Sequence, residues 1–157
     1  LPVFKIAMEG VAAKPGPLPE TWGDHVELTP PDGADERAIE LNEMPNADGD
    51  FPTFSINGAS FPDVEPIHAR PDDVEIWRLV NKTEMDHPVH LHGMYFRVLD
   101  VDGSTPGHDG WKDTVNVPQK QTLRFVVRYG EAGTWMYHCH ILEHAERGMM
   151  GELVLEP

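Results

Sequence analysis

Two short segments of the chain hold most of the side chains that could bind a metal ion. HPVHLHG (87–93) contains three histidines, and HCHILEHAERGMM (138–150) contains three more, two methionines and the only cysteine. Imidazole and thiolate groups are the ligands that copper, zinc and iron accept from proteins. This density of ligands indicates metal chemistry, and the spacing decides how many sites the ligands form.

Strand alternation divides these ligands into two groups. Successive side chains of an extended strand point to opposite faces, so residues two apart share a face. Two histidines of each segment therefore face one way: His90 and His92 in the first, His138 and His140 in the second. His87 and Cys139 face the other way. Pairing the two segments predicts two sites that lie back to back.

The first predicted site is completed by residues that follow the second segment's strand. His144 comes five positions after Cys139, and Met149 comes ten positions after it. Together with His87 they supply two imidazoles, one thiolate and a weak thioether, the ligand set of a blue-copper electron-transfer site. Zinc is the main competitor, because one cysteine and two histidines also hold zinc. The methionine at this spacing favours copper.

The second predicted site has four imidazoles on one face, which could hold one copper ion or parts of several. Cys139 is joined through the backbone to His138 and His140, so an electron that reaches the first site has a short route to the second. This connection suits one-electron oxidation at the first site and multi-electron reduction at the second.

The elements that must position these ligands are mostly β-strands. Strand patterns cover five segments: 74–81, 94–101, 121–129, 134–140 and 151–157. In QTLRFVVRY the residues Leu123, Phe125, Val127 and Tyr129 share the predicted inner face. ILEHAER is long enough for one or two helical turns, and the Asn-Gly pair of SINGAS predicts a turn. The pattern predicts an all-β fold, a single β-sandwich or Greek-key barrel.

The start of the chain differs from the rest. LPVFKI resembles a short strand, and residues 12–24 (AAKPGPLPETWGD) form a Pro- and Gly-rich linker. We therefore expect residues 1–24 to be the end strand of a preceding domain with its linker, and residues 25–157 to be one domain.

Composition limits the classes of partner. The formal net charge of −15 argues against nucleic acid and anionic membranes as partners. No apolar run approaches the roughly 20 residues of a membrane span, and the first residues lack the pattern of a signal segment. A single cysteine excludes an internal disulfide and leaves Cys139 free to act as a thiolate.

The two motifs together resemble the C-terminal copper motifs of multicopper oxidases, especially bacterial laccases and cuprous oxidases. FSINGASFPD and WKDTV also resemble bacterial members, and the resemblance covers about residues 50–157. It implies a cupredoxin-like Greek-key fold and a location outside the cell or in the periplasm. It implies oxidation of phenols, aryl amines or metal ions at a type 1 copper, and reduction of dioxygen to water at a trinuclear copper centre.

The resemblance also implies a role for each ligand. The type 1 ligands would be His87, Cys139, His144 and Met149. The type 2 copper would take His90, and the type 3 pair would take His92, His138 and His140. Electrons would enter at His144 and pass from Cys139 through His138 and His140, so these four residues are the expected catalytic residues.

The sequence departs from the family pattern in two places. The trinuclear centre of the family also needs two HxH motifs from an N-terminal domain, and the remaining histidines, His25, His68 and His108, are isolated. We therefore expect N-terminal cupredoxin domains of the same enzyme as partners. Ala145 stands where many bacterial relatives carry an acidic residue that is thought to help deliver protons. Glu143 and Glu146 lie on either side of that position.

Three functional hypotheses follow from these observations. The first is the C-terminal domain of a laccase-like oxidase, active only with its complementary domains. The second is a free-standing blue-copper electron carrier without oxidase activity. The third is self-assembly, in which several copies turn their four spare histidines toward one another around a shared copper cluster.

Overall fold

The computed structural model describes residues 10, 16–17, 28–45, 51–107 and 110–157. The predicted strand of residues 1–6, most of the predicted linker, His25 and His108 lie outside the described residues. No helix in the described ranges is long and apolar enough to span a membrane.

The described residues form strands and one short helix. The strands are β1 (Glu36–Met44), β2 (Thr53–Ile56), β3 (Ile67–Ala69), β4 (Val74–Asn81), β5 (His87–Leu91), β6 (Phe96–Val101), β7 (Trp111–Lys112), β8 (Thr114–Val117), β9 (Thr122–Arg128), β10 (Gly133–Cys139) and β11 (Met150–Leu155). The helix α1 spans Leu142–Glu146, as the short helical pattern predicts. The five strands predicted from sequence are present as β4, β6, β9, β10 and β11, with ends that differ by two residues or fewer.

The strands form two sheets. The first has the order β2-β1-β4-β9-β6-β7, and the second has the order β3-β11-β10-β5-β8. The pairs β1–β4 and β3–β11 are parallel, and the other pairs are antiparallel. From β4 to β6 and from β7 to β10, consecutive strands belong alternately to the two sheets. The predicted all-β class, with two sheets around one core, is confirmed.

The core lies between the sheets and is rich in aromatic rings. The residues of β9 predicted to face inward, Leu123, Phe125 and Val127, are at most 1% exposed. Trp77 of β4 packs edge-on against Tyr137 of β10 with 5.2 Å between ring centroids. This contact joins the first sheet to the strand that carries Cys139.

The chemistry-bearing segments occupy the middle of the second sheet. In the β5–β10 pair, His138 lies opposite His90 and Cys139 lies opposite Val89. Burial alternates along β5, so that His87 is buried and His90 is partly exposed. The faces predicted from strand alternation are therefore observed in both segments.

The turns around this sheet follow local backbone chemistry. Asn57 and Gly58 have φ angles of 52° and 83°, and Ile56 and Ala59 exchange two backbone hydrogen bonds across them. Two residues with positive φ between paired strands are typical of a type I′ turn. The turn predicted for SINGAS is thus confirmed.

Candidate metal centre

Three buried side chains converge between the two sheets. The Nδ1 atoms of His87 and His144 are 3.2 Å apart, and the Sγ of Cys139 lies 3.7 Å from the first and 3.6 Å from the second. Among the described residues, this is the group whose ligand atoms all lie within 4.8 Å of one another. Such a triangle of two imidazoles and one thiol can hold a metal ion at its centre.

Each member of this inward trio comes from a different element. His87 begins β5, Cys139 ends β10, and His144 lies in α1. Met149 follows the helix and is fully buried. Its backbone N–H donates to the carbonyl of His144, and its carbonyl accepts from the N–H of Cys139 at 3.0 Å. The backbone therefore ties Met149 to two members of the trio.

A hydrogen-bonded pair behind His87 sets the orientation of its ring. The Nε2 of His87 lies 2.7 Å from the hydroxyl of Thr83, which is also 2.9 Å from the Oδ1 of Asn81. The amide of Asn81 donates to the carbonyls of Met85, Val117 and Pro118 and is fixed by them. A proton on Nε2 would be donated to Thr83, which leaves the Nδ1 lone pair free to bind a metal ion.

Burial sets the protonation states of the trio. Desolvation is the main cause that lowers the pKa of His87 to about 4, and nearby His144 lowers it further. Desolvation also lowers the pKa of His144. Burial raises the pKa of the Cys139 thiol to about 11. The imidazoles are therefore neutral at pH 7, as metal binding requires, and a metal ion must displace the thiol proton.

Aromatic packing shields one side of the trio. The ring of Phe54 in β2 stacks on the His144 imidazole with centroids 3.9 Å apart and meets His87 edge-on at 6.0 Å. Phe54 is 4% exposed. The trio therefore lies in a low-dielectric environment, although His144 also lines a surface cavity.

A second group of imidazoles lies on the outward face of β5 and β10. Its members are His90, His92, His138 and His140. Ring centroids of neighbouring members are 4.7 to 5.8 Å apart, and the Nε2 atoms of His92 and His138 are 3.0 Å apart. These four rings lie close together, but their ligand atoms do not all meet within the distance that the inward trio satisfies.

Backbone and hydroxyl groups orient two of these outward histidines. The Nδ1 of His90 lies 3.0 Å from the carbonyl of Asp113 and 2.9 Å from the hydroxyl of Thr114. The Nδ1 of His138 lies 2.9 Å from the carbonyl of Cys139. A proton on Nδ1 in each ring leaves Nε2 available as a ligand. The WKDTV segment thus contacts the group through the backbone of Asp113.

The other residues considered from sequence do not join either group. His68 is exposed in β3. Met94 is buried in the core, and Met136 and Met150 are partly buried. Ala145 is 9% exposed, whereas Glu143 and Glu146 on the same helix are exposed.

Sequence reasoning missed three residues that shape the inward trio: Asn81, Thr83 and Phe54. An Asn-x-Thr segment just before the first histidine motif is the signal that could have revealed the first two. The position of Phe54 depends on the pairing of β2 with β1, which no local pattern gives.

The comparisons with known proteins decide the family. The model of the multicopper oxidase family matches residues 29–157. The chain belongs to the multicopper oxidase family. Membership of this family implies copper as the metal.

The similar proteins include a multicopper oxidase and a copper resistance protein. The chain is 40% identical over 106 residues to multicopper oxidase mco of Staphylococcus epidermidis, which covers 63% of the chain and 24% of that protein. It is 36% identical over 129 residues to copper resistance protein A of Pseudomonas syringae pv. tomato, which covers 80% of the chain and 20% of that protein. The chain thus spans about a quarter of the length of these relatives.

Solved structures show the same fold. McoA multicopper oxidase from Aquifex aeolicus matches with a TM-score of 0.72 and 33% identity, over 85% of this chain and 32% of that one. A laccase from Pediococcus acidilactici matches with a TM-score of 0.77 and 28% identity, over 92% and 32%. The predicted cupredoxin-like fold and the resemblance to multicopper oxidases are confirmed, and the comparisons favour an oxidase over a free electron carrier.

Proposed function

We propose that this chain is the C-terminal cupredoxin domain, residues 25–157, of a laccase-like multicopper oxidase. Its remaining domains would supply the other trinuclear copper ligands. One observation carries the proposal. The Sγ of Cys139 lies within 3.7 Å of the Nδ1 atoms of His87 and His144. The residues on either side of Cys139 in the chain, His138 and His140, belong to the outward face.

The inward trio fits a type 1 copper ion. Neutral imidazoles, a thiol that becomes a thiolate on binding, and a buried methionine match the donors of blue-copper sites. His87, Cys139, His144 and Met149 would hold the ion, which would supply one-electron redox chemistry. The hydrogen bond from His87 to Thr83 and the stacking of Phe54 on His144 hold the two rings in place before the ion binds.

The inward and outward faces of the β5–β10 pair have different proposed roles. His144 lines a surface cavity and gives an external reductant its nearest approach to the inward trio. Cys139 joins the inward trio to His138 and His140 through two peptide units. This covalent path is short, so we propose these four residues as the route for electrons.

The outward histidines would supply half of a trinuclear site. His90 would serve the type 2 copper, and His92, His138 and His140 would serve the type 3 pair. Two observations support a shared site: the four ligand atoms do not converge on one point, and the chain spans only about a quarter of its relatives. The partners would be N-terminal cupredoxin domains, dioxygen, and a small phenolic, aryl amine or metal-ion reductant. We propose an extracellular or periplasmic location by family resemblance.

Oxygen uptake tests this function. Copper-loaded protein that contains the N-terminal domains should consume dioxygen when a phenol or cuprous ion is supplied. The Cys139→Ser variant should lose this uptake, and His68→Ala, which changes an exposed histidine outside both groups, should keep it. Absence of uptake by the unaltered protein, or equal uptake by the Cys139→Ser variant, would contradict the proposal.

The self-assembly hypothesis makes a different prediction for the same material. If several copies shared one copper cluster, this chain alone would form an oligomer with more than one copper ion per chain. The proposed shared site instead predicts that the chain alone binds one blue copper ion and stays monomeric. Mass in solution, measured with the copper content, separates the two.

A further inference from the structure

A cavity of about 420 Å³ opens beside the inward trio. His144 lines it although this residue is only 4% exposed. A ligand in the cavity would therefore lie against a member of the inward trio. The volume of the cavity is in the range of small-molecule sites.

Aromatic rings form part of the cavity wall. Phe54 stacks on His144 and also lines the cavity, and Phe51 lines it with 71% of its surface exposed. Met85 and Pro52 add further apolar surface. Flat rings and a thioether at the wall suit an aromatic ligand, since pairs of rings attract each other beyond the effect of their buried area.

Two carboxylates give the same wall a negative charge. Glu43 lies opposite Phe54 in the pairing of β1 with β2, and Glu143 is one residue before His144. Both are exposed, both line the cavity, and neither forms a salt bridge with another described residue.

Arg147, the one cation among the described lining residues, already has contacts of its own. Arg147 lies over the ring of Phe51 with its guanidinium 5.1 Å from the centroid, and it donates to the Phe51 carbonyl at 3.2 Å. Among the described residues that line the cavity, two carboxylates and one guanidinium leave an excess negative charge. A cationic ligand is attracted by the carboxylates, and an anionic ligand must overcome them.

We propose that this cavity selects aromatic amines that carry a positive charge over anionic aromatic compounds of the same ring. The inference rests on the proposed function, because it takes the cavity at His144 as the place where the reductant docks. In that role the ring amine would give up one electron, and a copper ion held by the inward trio would supply the one-electron acceptor. The positive charge on the remote part of the donor would stay unchanged. The charge on the remote part of the donor decides how well it binds.

Binding of redox-inert probes tests the selection without any turnover. Phenyltrimethylammonium and benzenesulfonate have the same ring and opposite charges. We expect NMR titration of the copper-free protein to show roughly tenfold tighter binding of the cation at low salt, with the shifts centred on Phe51 and His144. The preference should shrink toward parity near 1 M salt, where the Debye length is about 3 Å.

Matched variants distinguish the effect of the cavity carboxylates on binding from the effect of the overall charge of −15. Glu43→Gln and Glu143→Gln should each weaken cation binding about threefold, and the double variant should remove most of the preference. Glu131→Gln removes the same charge at the far end of β10, roughly 20 Å of strand away, and should change the preference little. Equal effects in Glu43→Gln and Glu131→Gln would overturn the proposal.

A kinetic measurement distinguishes failure of this inference from failure of the proposed function. Two N,N-dialkyl-p-phenylenediamines that differ only in a trimethylammonium or sulfonate arm are mixed anaerobically with the copper-loaded protein. We expect the cationic donor to bleach the blue absorption about tenfold faster. Equal bleaching by both donors would overturn the inference and leave the function in place. Lack of any blue absorption would instead contradict the proposed function.

Discussion

At the scale of single residues, metal binding by the inward trio depends on which ring nitrogens carry protons as well as on the distances between the ligand atoms. The ring of His87 can bind a metal ion through Nδ1 only if Nε2 keeps its proton, and Thr83 lies 2.7 Å from Nε2 to accept it. Asn81 holds Thr83 through both its hydroxyl and its backbone N–H, each at 2.9 Å. These two polar side chains are at most 3% exposed, so water cannot replace either bond.

Substitution of Thr83 tests this positioning role. Thr83→Ala removes the acceptor for Nε2, and we expect copper affinity to fall by about 10- to 100-fold, as other losses of outer hydrogen bonds do. The reduction potential should also shift, which a purely structural role would not cause. Thr83→Ser keeps the hydroxyl and should restore both. Copper competition titration and redox titration measure them, and an unchanged potential in Thr83→Ala would contradict the role.

The residue scale also shows what sequence alone can predict. Alternation along two strands was sufficient to assign His87 and Cys139 to one face. It also assigned four histidines to the other face: His90, His92, His138 and His140. Thr83 was not identified, because its contact with His87 depends on the loop between β4 and β5. Phe54 was not identified either, because its ring reaches His144 only after β2 pairs with β1 and packs across the core.

At the scale of elements, the turn between α1, which carries His144, and β11 depends on Gly148. Gly148 has a φ angle of 110°, and its carbonyl accepts from the N–H groups of Met150 and Phe61. A Cβ at this position would lie 2.5 Å from the Cβ of Ser60 and 2.8 Å from the carbonyl of Phe54. The turn therefore needs glycine for its conformation and for its close packing.

Gly148→Ala should destabilise the fold and disturb the inward trio. We expect a loss of about 1–3 kcal/mol from backbone strain, and more from crowding against Phe54. Gly103→Ala is the matched control, because its φ is 78° and nothing lies within 4 Å of the added Cβ. Urea unfolding of both variants isolates the crowding. Equal losses would show that packing at Gly148 contributes nothing.

Sequence patterns predicted the central elements better than the outer ones. β4 and β9 carry clear alternation because one face of each is packed in the core. β1 was not assigned, since charged residues occur on both of its faces: Arg37 and Glu43 stand at the same alternate positions as the buried Ile39 and Leu41. The partners of β1 are also set by distant segments. The residues of β1 nevertheless matter to the site, because Glu43 lines the cavity.

At the scale of the whole molecule, the buried histidines make stability depend on pH. The folded protein keeps the pKa of His87 at about 4, whereas an exposed histidine has a pKa near 6.5. Between pH 4 and pH 6.5, His87 is therefore protonated in the unfolded chain and neutral in the folded protein. The free energy of unfolding of the copper-free protein should therefore fall as the pH is lowered from about 6.5 to 4.

Urea unfolding at pH 7, 6 and 5 measures this dependence. A shift of this size corresponds to at most about 3 kcal/mol, and lowered pKa values at His144 and His92 act in the same direction. His87→Phe should show a shallower dependence, because its ring takes up no proton in either state. A stability that rises on acidification through this range would contradict the burial of neutral His87.

The division of the molecule into two faces was predictable from sequence, and the completion of the outward face was not. The chain itself brings together the inward trio, whereas the outward histidines form an open group, which we propose other domains complete. The proposal draws on the comparisons, because the chain spans only about a quarter of its curated relatives.

We propose that the inward trio is a type 1 copper site, and the visible spectrum at one copper ion per chain tests this assignment most directly. We predict an intense thiolate-to-copper absorption that is lost in Cys139→Ser and kept in His92→Ala, which alters only the outward group. Weak absorption in the unaltered protein, or intense absorption that persists without Cys139, would contradict the claim.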